Sequence, residues 1–257
     1  MKKCLSLVLA VLVCLCAAAA ADSALIPVQI SDAGVTCESD AVKMDGKVIR
    51  ITAPGEYLLS GAMADGQIEV DCGEDGKVIL HLNGLKLHNE NGAAILIGRV
   101  KPRVVIELAE GSENELSDGS RLVFSDKDEP NGVIFSRSDL TVEGKGALKI
   151  TSGAMDGIVS KDDLRIAGGT ITVDAVRHGI RGKDSVEISG GTVSVTAGKD
   201  GIRTTNDKDR ERGYISVTGG TLKISAGDDP FDFVTELILN GGIVDAVVTP
   251  SLSGRLD

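Results

Sequence analysis

The chain has 257 residues, a formal charge of −11 and very few aromatic side chains: no Trp, two Tyr and four Phe. Its Lys and Arg are dispersed without a basic stripe, which argues against nucleic acid and anionic membrane surfaces as partners. Without flat aromatic platforms, a neutral glycan cannot be gripped in the usual way, so any sugar must be held by polar groups or ions.

Residues 1–21 read as a secretory signal peptide, with Lys2 and Lys3 as the positive region, Leu5 to Leu15 as the apolar region and Ala17 to Ala21 as the small-residue cleavage zone. The apolar run is too short for a membrane anchor. Cys14 and Cys16 lack the small preceding residue of a lipoprotein signal. The expected destination is secreted, extracellular or cell-surface, with the periplasm as the other compartment. Losing Lys2 and Lys3 takes the charge from −11 to −13. Cys37 and Cys72 then remain, and one disulfide or two buried thiols both fit an oxidising compartment.

Residues 22–60 are expected to form an N-terminal cap with the first strands, and residues 61–257 the body of the same single domain. Strand patterns occur at Gln67 to Val70, Val78 to Leu87, Ala94 to Ile97, Val104 to Leu108, Val133 to Phe135 and Leu140 to Val142. The polar run Ser117 to Asn131 predicts an exposed loop.

From residue 156 a repeat governs the chain. Gly-Gly pairs at Gly168, Gly190, Gly219 and Gly241 are separated by 22, 29 and 22 residues, and the long step carries seven extra residues within Asn206 to Gly213. Alternating strands follow each pair (Thr170 to Val173, Thr192 to Val195, Thr221 to Ile224). A second element recurs at Asp156-Gly157-Ile158, His178-Gly179-Ile180, Asp200-Gly201-Ile202 and Asp229-Pro230-Phe231, and a third precedes the next pair (Leu164 to Ile166, Val186 to Ile188, Ile215 to Val217, Leu237 to Leu239). Three short strands in about 22 residues leave no room for a crossover helix. They predict an all-β parallel β-helix, with each strand paired to its copy one coil on and alternate residues, such as Ile180 and Ile202, filling the bore. An antiparallel sandwich is the residual alternative.

Stacking places like on like. Asp156, His178, Asp200 and Asp229 share one phase, Asp162, Asp163 and Asp184 form a second acidic phase, and Asn206, Asp207 and Asp209 lie in the insertion. Carboxylates about 4.8 Å apart repel unless protonated or bridged. A hard divalent cation takes six to eight oxygens, which makes calcium the expected cofactor at Asp200, Asn206, Asp207 and Asp209. The competing reading is plain Asp-Gly turn chemistry, with the carboxylates turned to solvent. His178 reads as an exposed member of the polar stack, and no Ser or Cys is spaced for a triad. Lys161 and Lys183, in matching phase beside the acids, are the candidate basic residues.

The runs GIVSKDDLRIAGGTITV, HGIRGKDSVEISGGTVSVTAGKDGIRTTND and GYISVTGGTLKISAGDD, with GEYLLSG, VILHLNGLKL and DLTVEGKGALKI upstream, resemble a bacterial carbohydrate-binding β-helix family of the clostridial cellulose- and polygalacturonate-binding type. The resemblance covers about residues 45 to 245. It implies a right-handed parallel β-helix, secretion, bound calcium, binding of acidic plant polysaccharide such as pectin, and a fold relationship to calcium-dependent pectate lyases with a lysine base. The chain departs from the family pattern at His178, where an acid is expected, and at Pro230, where a glycine is expected. The family's metal site is therefore carried over only to Asp156, Asp200, Asn206, Asp207 and Asp209, with Lys161, Lys183, Arg181 and Arg203 as ligand-binding cations.

The expected function is calcium-dependent binding of a polygalacturonate-like polysaccharide without cleavage, and no catalytic residue is assigned. If the protein is instead a polysaccharide lyase, Lys183 and Lys161 are the candidate bases, although the carboxylates around them should keep them protonated. A structural envelope β-helix with no ligand is the third reading.

Overall fold

The computed structural model describes residues 25–73, 76–120 and 129–249; the expected leader lies outside them. Among the described residues the protein is all-β, without helix, so no helix is long and apolar enough to cross a membrane. The strands fall into a sixteen-stranded and a nine-stranded sheet, almost wholly parallel.

Every strand of the repeat pairs in parallel with its copy one repeat on, which makes three stacks. In the first, Asp163–Ile166, Ser185–Ile188, Tyr214–Val217 and Leu237–Leu239 set Leu164, Val186, Ile215 and Leu237 in line. The second aligns Thr170, Thr192, Thr221 and Ile243 along Thr170–Ala175, Thr192–Ala197, Thr221–Ala226 and Ile243–Val248. The third aligns Ile158, Ile180, Ile202 and Phe231 along Asp156–Ser160, Ile180–Gly182, Ile202–Thr204 and Phe231–Asp232. The seven-residue insertion leaves the registers on both sides of it intact, at Gly182 with Thr204 and at Ser185 with Tyr214.

Alternate residues point inward and form one apolar core drawn from all three stacks, with Ile180 and Ile202 wholly buried as the periodicity predicts. The corner glycines of the third stack have a packing origin. A Cβ on Gly179 would stand 2.2 Å from Val195 Cγ1 and 2.7 Å from the Gly201 carbonyl oxygen, and Gly157 and Gly201 meet the same obstruction. The His-Gly and Asp-Gly steps therefore mark where two stacks close on each other. The second glycine of each Gly-Gly pair turns in the left-handed region, at φ of +88, +85, +83 and +79°.

The N-terminal half obeys the same pairing with longer connections. Val78–Asn89 spans two stacks, lying beside Val104–Leu108 with its first half and Glu113–Asp118 with its last, and Gly84 sits between them at φ +79°. At the N-terminal end, Ile26–Ser31 with Gly34–Thr36, and Val42–Asp45 with Val48–Ile51, form antiparallel pairs that cover the stack edges, as a cap must. Ser117 and Asp118, expected in an exposed loop, instead belong to the strand Glu113–Asp118, and Asp118 is buried. Cys37 and Cys72 are both free, half-buried thiols.

Ile202→Asp places an unpaired carboxylate between Ile180 and Phe231, and should cost at least about 3 kcal/mol. Urea unfolding checks this; a midpoint equal to that of the wild type would refute the register.

Candidate functional site

The residues expected to act together occupy two different corners, one on each side of the third stack. At the leading corner stand Asp156, His178, Asp200 and Asp229. Asp156 Oδ1 accepts the His178 backbone N–H at 3.2 Å, and Asp200 Oδ1 accepts the Asp229 N–H at 3.3 Å. Each carboxylate thus satisfies the backbone one repeat on. Its remaining oxygen faces a guanidinium: Asp156 Oδ2 lies 3.0 Å from Arg181 Nη2, and Asp200 Oδ2 accepts from Arg203 Nη1 at 3.0 Å. Arg203 also reaches Asp232 at 3.2 Å, and Arg181 donates to Asn131 at 2.7 Å. The Arg181 contact to Asp156 is close but lacks hydrogen-bond direction, which leaves Asp156 Oδ2 without such a bond.

Burial dominates the electrostatics here. It raises the Asp156 carboxyl against the pull of Arg181, and lowers the Arg181 guanidinium against the pull of Asp156. His178, expected at the surface, is only 2% exposed. Its burial pushes the imidazole down to about 4; Asp200 works against this, while Arg203, Arg177 and Arg181 add to it. Its Nδ1 accepts the Asp200 backbone N–H at 3.4 Å and lies 3.0 Å from Asp200 Oδ2, and its Nε2 lies 3.5 Å from Arg177 Nη2.

The trailing corner carries the insertion. Asn206 Nδ2 donates to Asp184 at 2.7 Å, and its Oδ1 accepts the N–H groups of Lys208 and Asp209, both at 3.1 Å. Asp207 and Asp209 are exposed, and Asp209 accepts the Glu211 N–H at 3.0 Å. The five expected calcium ligands therefore do not converge. Asp156 and Asp200 are engaged by arginines and backbone on one side of Ile202–Thr204, and Asn206 is saturated on the other. Among the described residues no three His, Cys, Asp or Glu side chains are grouped to hold a metal ion. The carried-over residues do not fit calcium as one site.

Lys161 and Lys183 belong to a different feature. Ser136, Ser160 and Gly182 are in register, so the residues that follow them, Arg137, Lys161 and Lys183, form a ladder of cations on adjacent repeats. The Lys161 N–H donates to the Ser136 carbonyl at 2.8 Å and the Lys183 N–H to Ser160 at 3.0 Å, which carries the register through the corner. The ladder lines a cleft of about 980 Å3 together with Arg99, Lys101, Glu129, Asp139 and Asp162. Among the described residues, five cations against three carboxylates make this cleft positive in an acidic protein. Glu129 bonds both Arg137, at 2.9 Å, and Lys161. Deeper in the corner, Asp162 is raised by burial and then by Asp139 and Asp184, and it hydrogen-bonds to Asp184. Burial opposes ionisation of Asp184 too, yet Asn206, Lys183 and Arg212 hold it below its usual value, so Asp162 is the weaker acid of the two. The sequence reading missed Arg137, Glu129, Arg99 and Lys101. The available signal was the phase of Arg137-Ser138-Asp139-Leu140 with Lys161-Asp162-Asp163-Leu164 and Lys183-Asp184-Ser185-Val186.

His178 supplies a test of the leading corner. With a folded value near 4 and an ordinary value of 6.5, the neutral ring contributes stability above pH 6.5 that is lost as pH falls toward 4. At about 1.4 kcal/mol per unit this is roughly 3 kcal/mol, partly offset by Asp156, whose raised carboxyl acts in the opposite sense. Urea midpoints measured from pH 7 to 4 should fall less in His178→Gln than in the wild type.

Three comparisons bear on these corners. The family model described as carbohydrate-binding domain-containing protein matches residues 45–253. A carbohydrate-binding domain-containing protein of Acetivibrio thermocellus is 40% identical over 138 residues, which are 53% of this chain and 48% of that protein, so the match spans about half the relative's length. The solved structure of a polysaccharide lyase-like protein from C. thermocellum, a gadolinium derivative, superposes with a TM-score of 0.79 at 35% identity, covering 90% of this chain and 98% of that one. The chain belongs to the carbohydrate-binding domain-containing family.

Proposed function

We propose that this is a secreted protein that binds an acidic polysaccharide of the polygalacturonate type without cleaving it, on a right-handed parallel β-helix. The handedness rests on the near-universal right-handed crossover between parallel strands of one sheet. Family membership supports a carbohydrate partner, and the similarity to a polysaccharide lyase-like protein supports a long polymer as that partner. The observation that carries the acidic preference is the cation ladder Arg137, Lys161 and Lys183 in a positive cleft on a chain that is otherwise negative.

In this reading the lysines are binding residues. Each already faces a carboxylate, Lys161 at Glu129 and Lys183 at Asp184, and among the described residues no imidazole or thiol lines the cleft beside them. Calcium, expected from the resemblance, has no converged oxygen set among the residues assigned to it, because Asp156 and Asp200 face arginines and backbone N–H groups at one corner while Asn206, Asp207 and Asp209 lie at the other. Direct ion pairing with sugar carboxylates does not need it.

Polygalacturonate binding measured by calorimetry should persist in a chelator, weaken with added salt, and fall about tenfold in Lys161→Ala with Lys183→Ala. Absorbance of unsaturated product should stay flat. Loss of binding in the chelator would restore the calcium bridge, and product that disappears in Lys183→Ala would make the protein a lyase.

A further inference from the structure

The ladder has a defined length and a defined spacing. Its steps are Arg137, Lys161 and Lys183, one per repeat. One repeat earlier the same phase is Gly98, which follows Ile97, the partner of Ser136; one repeat later it is Thr205, which follows Thr204, the partner of Gly182. Neither carries charge, so the ladder is three steps long. The side chains are partly open, at 35%, 41% and 46% exposure from Arg137 to Lys183. Steps on adjacent parallel strands are about 4.8 Å apart, and a 1,4-linked pyranose chain advances by a comparable amount per sugar.

One carboxylate already occupies part of the ladder. Glu129 accepts from Arg137 Nη1 and from Lys161 Nζ, with its side chain 14% exposed, whereas Lys183 is left to a longer 3.5 Å contact with Asp184. The first two steps thus hold a carboxylate of the protein itself, in the place where a sugar acid would sit.

We infer that Arg137, Lys161 and Lys183 read three successive uronate carboxylates, one per repeat along the stacking direction, and that Glu129 is an internal competitor for the first two positions. This rests on the acidic-polysaccharide reading and adds to it a ligand length, an orientation and a residue that weakens binding. Lys183 is the entry step, because its partner is the most distant. Displacing Glu129 then exchanges one carboxylate for another at Arg137 and Lys161, so those two steps contribute less than their charge suggests.

Calorimetry with mono-, di-, tri- and tetragalacturonic acid on the full chain tests this. Affinity should rise about tenfold from the dimer to the trimer and level off at the tetramer. Lys183→Gln should remove the step between dimer and trimer. Glu129→Gln should tighten trimer binding several-fold, the opposite sign to every cation substitution. Melting curves of both variants should show them folded. If polygalacturonate does not bind the wild type, the functional reading itself fails. If the polymer binds but the oligomers show no step at three, or Glu129→Gln weakens binding, the ladder is wrong and the broader reading stands.

Discussion

Parallel pairing between each repeat and the next, at one strand spacing and in strict register, is the constraint on which everything else depends. It copies every residue type onto its own kind. For Ile158, Ile180 and Ile202 this is favourable, because apolar side chains stacked in a closed interior remove area from water at no electrostatic cost. For charges it is a difficulty, since a ladder of acids or of bases is a line of like charges a few ångströms apart. The third stack meets the difficulty on its two sides by different means.

On the leading side, acids and bases interleave. Asp156 and Asp200 alternate with the imidazole of His178, which burial keeps neutral, and Arg181 and Arg203 supply the opposite charge from inside the same strands. Of the carboxylates expected to form a metal site, Asp156 and Asp200 face backbone N–H groups and arginines here. The trailing side keeps Arg137, Lys161 and Lys183 together, and nearby carboxylates only partly neutralise them. Acids that each face an arginine have less left for a ligand, whereas a partly neutralised row of cations has charge to offer. That contrast is why the proposed binding surface lies on the trailing side.

The architecture was legible in sequence where the rule of alternation was kept. Thr170–Ala175, Thr192–Ala197 and Thr221–Ala226 place an apolar residue inward at every second position, and the glycine spacing fixed their phase. The strand Glu113–Asp118 was missed because its inward residues include Asn114 and Asp118. Asn114 is tolerated because Gly84 and Leu85 donate to its Oδ1, and its Nδ2 reaches Ser112 and the Ala147 carbonyl. Polar inward residues satisfied by distant backbone leave no one-dimensional trace. The site was half legible for a related reason. Lys161 and Lys183 stood out by phase, but the opposite placement of Asp200 and Asn206 depends on which way the chain turns across Ile202–Thr204, and Glu129 reaches the ladder from 32 residues before Lys161.

The hydrogen bonds of the leading corner run both ways. Asp156 accepts from the backbone of residue 178 and Asp200 from that of residue 229, whereas the N–H groups of Gly157, Gly179 and Gly201 donate to the carbonyls of His178, Asp200 and Asp229. Each junction is therefore closed like a zip whose teeth lock from both sides. A lesion at Asp200 deprives the backbone of residue 229 of an acceptor and His178 of its neighbouring carboxylate, so local disorder should reach the repeats on both sides of it. A stack of similar units joined in this way has no grain, and a lesion at an inner junction unsettles two neighbours where one at an end unsettles one.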